Sequence, residues 1–175
     1  MNSAPARARR KPHRRSGLGA ALVGLGLAAS VVLGCTHDPD RLPELDRRFY
    51  DNLPTGADQQ EFLRLKPSER QAYLEDKGLW AQWEALPKAE REAVGRGEVD
   101  LGFQEFALYM AWGPPADTQD RDASGRPLQL HTFIRCTSGP KRGRYVRSNL
   151  DCDGTSSETQ VSIRDGVVVE ITYPH

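Results

Sequence analysis

Three cysteines carry the most reactive side chains of this sequence, and they fall into two groups. Cys35 stands alone at the end of an uncharged run, whereas Cys136 and Cys152 lie close together near the carboxyl end. A thiol can act as a nucleophile, bind a metal or pair into a disulfide. No Cys-x-x-Cys spacing supports redox catalysis, and the histidines do not cluster as zinc ligands would. The lone cysteine and the pair therefore point to different chemistry.

The residues before Cys35 have the pattern of a targeting segment. Residues 1–34 carry six basic residues and no acidic one, and an uncharged run from Gly17 to Gly34 follows the basic part. Such a run is typical of a long signal peptide or of a short membrane helix. The motif Val32-Leu33-Gly34-Cys35 resembles the bacterial lipobox, in which a small residue precedes a cysteine that receives a diacylglyceryl group. We expect a signal peptide over 1–34 and lipidation, including palmitate, at Cys35; the alternative is an uncleaved anchor with an incidental cysteine.

Charge is distributed unevenly along the chain. Of the 24 basic residues, six lie in the leader, so that 18 basic residues face 24 acidic ones from Cys35 onward. A body with this acidic balance has no broad electrostatic attraction to nucleic acid. We therefore expect no nucleic-acid partner.

Two segments precede the most apolar part of the chain. Residues 35–60 hold several prolines, many charges and no clean apolar period, which predicts a flexible tether. From residue 61 to 97 the pattern turns helical: Pro67 and Pro87 suit first turns, and Gly78 and Gly95 suit helix ends. We expect a set of short helices over 61–97.

An apolar helix followed by strands is predicted over 98–175. Apolar residues in "GFQEFALYMAWGPP" recur at helical spacing and cover nearly the whole circumference of the helix, so this helix should be well buried. The runs "LQLHTFIRC", "GRYVRSN" and "ETQVSIRDGVVVEITYP" are typical of strands, with a hairpin at Asp165-Gly166. The fold class is therefore α+β: short N-terminal helices, then a three- to four-stranded antiparallel meander packed on a helix.

Simple alternation along the last strand predicts its two faces. Val167, Val169 and Ile171 should pack on the helix at 102–112, and Val168, Glu170 and Thr172 should face solvent or a partner. Val169→Asp should then unfold the protein.

The order of these elements resembles a known family. A glycine that opens a helix (Gly102), a helix that ends in Gly113-Pro114, and a hairpin at Asp165-Gly166-Val167-Val168 look like the small outer-membrane lipoproteins of the SmpA/OmlA type, the BamE-like domain. The similarity covers about residues 98–173, under half of the chain, within a predicted BamE-like domain of 98–175, and the related fold of β-lactamase-inhibitor-like domains fits equally well. The resemblance implies a lipoprotein without enzymatic activity that binds a protein of an outer-membrane or envelope assembly, anchored to the membrane and facing the periplasm.

The two remaining cysteines suit an exported protein. Cys136 ends one predicted strand and Cys152 follows the next, and an exported chain meets an oxidising environment. We expect a disulfide between them; the alternative is a pair of free thiols.

Residues 149–160, "NLDCDGTSSETQ", contain the front half of a calcium-binding loop. Asn149, Asp151 and Asp153 would supply oxygens, but position 12 is Gln160, and Glu158 would substitute only with a different geometry. A turn-rich loop is the preferred interpretation, so we expect no cofactor, with calcium binding as the alternative.

No catalytic constellation is visible in the sequence. The histidines are scattered, and neither a Gly-x-Ser-x-Gly motif nor a phosphate loop is present. We expect a binding or scaffold lipoprotein of the cell envelope and not an enzyme. The alternatives are a calcium-binding lipoprotein and a small enzyme that acts on cell-wall glycan.

Overall fold

Six α-helices precede five β-strands in the computed structural model, which describes residues 38–122 and 125–173. The helices are α1 (Glu44–Asp51), α2 (Gly56–Arg64), α3 (Pro67–Asp76), α4 (Leu79–Ala85), α5 (Lys88–Gly95) and α6 (Glu105–Trp112). The strands are β1 (Asp117–Asp122), β2 (Pro127–Cys136), β3 (Tyr145–Val146), β4 (Ser156–Arg164) and β5 (Val167–Thr172). Short 3-10 turns cover Pro39–Arg41 and Asn149–Cys152. The predicted α+β class is confirmed.

The strands form one antiparallel sheet with β2 and β4 at its centre. β5 lies on the outer side of β4, while β1 and β3 both pair with the other edge of β2, β1 along its first part and β3 near its end. The meander is therefore interrupted, because β4 returns to pair with β2 and not with β3. β1 was not predicted from the sequence, because its residues "DTQDRD" are all polar and exposed, as an edge strand permits.

Helix α6 lies between two hydrophobic clusters, as its nearly continuous apolar surface requires. Ala107 and Met110 join the cluster formed by the other helices, and Leu108 and Trp112 pack against the sheet. The first cluster also contains Phe49, Leu53, Phe62, Leu74, Leu86 and Val94. The second also contains Phe133, Val161, Ile163 and Val168.

Polar groups from other elements hold both ends of α6. At its start, the buried Glu90 carboxylate of α5 accepts a hydrogen bond from the Gln104 backbone at 3.0 Å. At its end, Arg48 donates to the carbonyls of Met110 and Ala111 at 2.8 and 2.9 Å, and Asn52 donates to the carbonyl of Tyr109 at 2.9 Å. These bonds satisfy backbone groups that a helix end leaves without intrahelical partners.

The predicted flexible tether over 35–60 is wrong for the residues that the structure describes. Residues 38–60 contain the 3-10 turn, α1 and the first part of α2, and Phe49 is 0% exposed. Leu42, Leu45, Phe49 and Leu53 share one helical face, which the surrounding charges obscure in the sequence. The prolines mark the boundaries of α1 and do not interrupt it, since Pro43 precedes its first residue and Pro54 follows its last.

The predicted division at residues 97/98 is also wrong. Residues from α1 to α5 and from α6 share one hydrophobic cluster, and the described residues group as one compact unit. A helix that must be covered on two sides cannot belong to the sheet alone. Among residues 38–122 and 125–173, no helix combines the length and the apolar character that a bilayer span needs.

A β-bulge corrects the predicted faces of β5. Ile163 pairs with Val168 while Ser162 pairs with Glu170, so Val169 is an extra residue between two ladder pairs. Val168 is therefore buried, at 1% exposed, and Val169 is 39% exposed. Ile171 keeps its predicted place beside the core, but Val167, Val169 and Ile171 do not form one face.

This register predicts opposite outcomes for two neighbouring substitutions. Val168→Asp places an unpaired charge in the core under α6 and should lower the free energy of unfolding by at least about 3 kcal/mol. Val169→Asp, the matched control, should change it by no more than about 0.5 kcal/mol. Urea unfolding followed by circular dichroism measures both. A Val169→Asp variant that unfolds while Val168→Asp stays folded would show that side chains alternate regularly along β5, with Val169 in the core.

Candidate functional site

The predicted signal peptide and lipidation site lie outside the described residues. Residues 1–34 and Cys35 precede Asp38, the first residue that the structure describes. The signal peptide and the lipidation of Cys35 therefore remain predictions from the sequence.

Cys136 and Cys152 are joined in the structure by a disulfide, with their sulfur atoms 2.02 Å apart. Cys136 is the last residue of β2 and Cys152 ends the second 3-10 turn, and both side chains are buried. The bond closes a loop with a sequence separation of 16, which the chain-entropy model values at about 3 kcal/mol. Residues 137–151 are thus held against the end of the sheet.

Two of the residues considered for calcium, Asn149 and Glu158, are hydrogen-bonded to each other. Asn149 accepts a hydrogen bond from the Ser156 hydroxyl at 2.8 Å and donates to Glu158 at 3.5 Å. A 3-10 turn and β4 stand where an EF-hand has helices. In the part of the chain that the structure describes, no group of three His, Cys, Asp or Glu side chains is placed to hold a metal ion.

A buried polar network that was not predicted from the sequence joins α6 to the sheet. His131 is 1% exposed; its Nε2 lies 2.7 Å from the Glu105 carboxylate and its Nδ1 lies 2.9 Å from the Thr118 hydroxyl. Tyr109 also donates to Glu105. The hydrogen bond from His131 holds the pKa of Glu105 below its usual value of 4.5, and burial raises the pKa of Tyr109. The network fixes α6 on β2, and its side chains line neither the larger nor the smaller of two cavities among the described residues.

The larger cavity is an open groove of about 1170 Å³ between the N-terminal helices and the uncovered end of the sheet. One wall comes from the first 3-10 turn and α1. The other comes from the residues after α5 and from the end of α6. The sheet contributes Arg135 from β2, Tyr145 from β3, and Ser157 and Thr159 from β4. The groove therefore joins parts of the chain that are about a hundred residues apart in sequence.

Cations outnumber acids in the groove, although the body as a whole is acidic. Seven basic residues line it: Arg47, Arg48, Arg96, Arg135, Lys141, Arg144 and Arg147. Five acidic residues also line it: Asp40, Glu44, Asp51, Glu98 and Asp151. None of the ion pairs among the described residues involves Arg135, Lys141 or Arg147. The lining of the groove therefore carries two more basic than acidic side chains.

Aromatic side chains provide the apolar surface of the groove. Trp112 stacks on Tyr145 with ring centroids 5.0 Å apart, and burial raises the pKa of Tyr145 to about 12. Tyr50 and the 64%-exposed Tyr173 also line the groove. Asp51 reaches solvent, but the surrounding walls remove part of its hydration, and this burial raises the pKa of its carboxyl.

A basic segment at one end of the groove was missed in the sequence. Residues 135–147, "RCTSGPKRGRYVR", hold five basic residues and no acid. The signal was visible by local counting, but the acidic balance of the whole body concealed it. We call the five side chains the basic patch: Arg135, Lys141, Arg142, Arg144 and Arg147.

Comparisons with protein-family models, with curated proteins and with solved structures gave no match. The resemblance to BamE-like lipoproteins thus depends on element order alone. The relevant elements are a helix preceded by Gly102, a helix followed by Gly113, and a β4–β5 hairpin turning at Asp165-Gly166 with both residues at positive φ.

The lowered pKa of Glu105 predicts a stability difference that depends on pH. A carboxyl with a lower pKa in the folded state stabilises the fold at neutral pH, and the contribution disappears as pH falls below about 4.5. Glu105→Gln should therefore be less stable than the wild type at pH 7, and the gap should narrow toward pH 3. Urea unfolding across this range measures the gap, with exposed Glu84→Gln as control. A stability difference between Glu105→Gln and the wild type that stays constant with pH would contradict the lowered pKa of Glu105.

Proposed function

We propose that this protein is a lipid-anchored bacterial envelope lipoprotein that binds a partner protein through the groove. The anchor is the predicted lipid on Cys35, and the folded body begins a few residues later. The observation that carries the binding role is the open groove of about 1170 Å³ with its arginines and aromatic rings. Arginine, tyrosine and tryptophan are enriched at protein interfaces and among the residues that dominate binding energy.

The chemistry of the groove favours an acidic partner segment. Arg135 presents a guanidinium group without a carboxylate partner among the described residues, and arginine binds carboxylates through two parallel hydrogen bonds. The exposed ring of Tyr173, which also lines the groove, offers apolar contact. A partner segment with carboxylates flanking an apolar side chain would complement this surface.

The resemblance in element order supports a role in the outer-membrane or periplasmic part of the envelope. The disulfide between Cys136 and Cys152 suits that compartment, because oxidising environments maintain such bonds. A protein that holds an assembly together needs an anchor and a binding surface, and both are part of the proposal.

Binding is preferred to catalysis because of the acids in the groove. Glycoside hydrolysis commonly uses two carboxyl groups with separated pKa values. In the groove, Asp40, Glu44 and Glu98 each pair with an arginine, and the ordinary role of such pairs is structural. Asp51 alone combines a raised pKa with a place in the groove, which is one half of such a pair.

The anchor predicts a specific result for lipid labelling. A labelled palmitate should enter the wild-type protein in a bacterial host, and Cys35→Ser should abolish both labelling and cleavage of the signal peptide. Gel mobility and label incorporation measure the two effects. Cys136→Ser, which leaves the lipobox unchanged, is the control and should label like the wild type. Equal labelling of the Cys35→Ser variant would show that Cys35 is not the lipidated residue.

The binding surface can be located with a photo-crosslinking amino acid at two neighbouring positions. Tyr173 lines the groove, whereas Thr172 precedes it on β5 and is exposed outside the groove. Crosslinking in intact cells should give a discrete protein adduct from position 173 and none from position 172.

The two positions separate the possible outcomes. An adduct from position 172 alone would move the binding surface to the opposite face of the sheet. The absence of an adduct from both positions would contradict binding near this end of the groove.

A further inference from the structure

We infer that the basic patch is a membrane-contact surface that binds the anionic headgroups of the bilayer in which the lipid anchor sits. The inference rests on the proposed function, because it assumes the lipid on Cys35. It adds a second contact with the membrane, made by the folded body, and fixes which side of the body faces the bilayer.

The first argument is the length of chain between the anchor and the fold. Three peptide units separate Cys35 from Asp38, where the described fold begins. A fully extended chain spans at most about 3.6 Å per residue, so Asp38 lies within about 11 Å of the lipidated residue. Because residues 38–60 are folded and do not form a tether, the body is held close to the membrane surface.

The second argument is where the fold begins. Asp40 forms an ion pair with Arg144 of the basic patch at 2.7 Å. Lys141 and Arg47 lie near enough to Asp40 to contribute to the lowered pKa of its carboxyl, after the larger effect of Arg144. The first turn of the described fold is thus in contact with the patch, and this contact places Arg144 near the point where the chain leaves the anchor.

The third argument is charge. Residues 135–147 contain five cations and no acid. Arg144 pairs with Asp40 and also lies near Asp38 and Asp51. The other four cations form no ion pair among the described residues; Arg135 lines the groove and is assigned there to the partner protein, which leaves Lys141, Arg142 and Arg147 for the bilayer. Arg142 and Arg147 are exposed. At physiological salt the screening length is about 8 Å, which is comparable to the reach of the short connection, so these cations act on headgroup phosphates.

The fourth argument is that the patch is built on a rigid loop. The disulfide joins its base, and Lys141 donates to the Asp151 carbonyl at 2.7 Å. Across the same loop, the Thr155 backbone donates to the Ser138 hydroxyl at 2.8 Å. A side chain at Gly139 would place its Cβ 2.7 Å from the Asp153 carbonyl, so the two halves of the loop are in close contact. Cations on such a loop lose little conformational freedom on binding.

Hydrogen exchange on the lipidated chain tests the inference directly. The mature protein is purified, its lipidation is verified by mass, and it is reconstituted into two kinds of vesicle. One kind is phosphatidylcholine, and the other is an equal mixture of phosphatidylcholine and phosphatidylglycerol. Amides in residues 137–147 should exchange about fivefold more slowly in the anionic vesicles, the effect of roughly one cation at such a surface. High salt should remove the difference, while β1 should exchange equally in both.

Two double variants with equal charge change separate the patch from general electrostatics. Arg142→Glu with Arg147→Glu reverses two exposed cations of the patch and should abolish the difference between vesicles. Arg121→Glu with Arg126→Glu reverses two exposed cations at the opposite end of β2 and should preserve it. Exchange in β1 and β4 reports whether each variant is folded.

The outcomes distinguish this inference from the proposed function. Lipidated protein with equal exchange in the two vesicles overturns the membrane contact and leaves the anchor intact. Slower exchange of residues 137–147 that persists in high salt, or in the Arg142→Glu with Arg147→Glu variant, also overturns the membrane contact and leaves the anchor intact. A chain that the cell leaves unlipidated overturns the anchor and the membrane contact together.

Discussion

The structure depends on the burial of α6 on two sides. Its residues "EFALYMAW" are apolar apart from Glu105 and Tyr109, whose polar groups bond to each other and to His131 of the sheet, so one layer of partners cannot cover the helix. The sheet covers the side of Leu108 and Trp112, and the N-terminal helices must cover the side of Ala107 and Met110. Arg48 and Asn52 from the α1 region then satisfy the last carbonyls of α6. The segment that looks like a polar tether is therefore a structural layer.

What the sequence predicts well is local. The helices at 61–97, the apolar helix, the α+β class and the Asp165-Gly166 hairpin follow from periodicity and turn chemistry, and the structure contains all of them. What it does not predict depends on non-local packing. The bulge at Val169 depends on the register in which β5 pairs with β4. β1 is a strand only because β2 offers it an unpaired edge. The same holds for α1, which packs Phe49 against Trp80 and Trp83 from another helix.

The candidate site was hidden for a similar reason. The groove combines residues near positions 40–50, 96–99, 110–114 and 135–159. No local sequence pattern predicts that these segments lie close together in space. The basic patch is different, because it lies within thirteen consecutive positions and is visible once charge is counted locally. The net charge of the whole body is acidic and therefore does not reveal a local basic segment. The electrostatic potential at a surface depends instead on the charges within about one screening length.

The groove follows from a mismatch in length between α6 and the strands. An eight-residue helix is about 12 Å long, whereas ten extended residues of β2 span about 33 Å. However α6 is oriented, it covers only part of the sheet face. The covered part carries Phe133, Val161 and Ile163, and beyond it the same face continues with Arg135 and Ser157. The change from apolar to polar residues along one face therefore marks where the helix stops. The polar end remains available because α1 and the first 3-10 turn stand beside it as a wall and do not cover it.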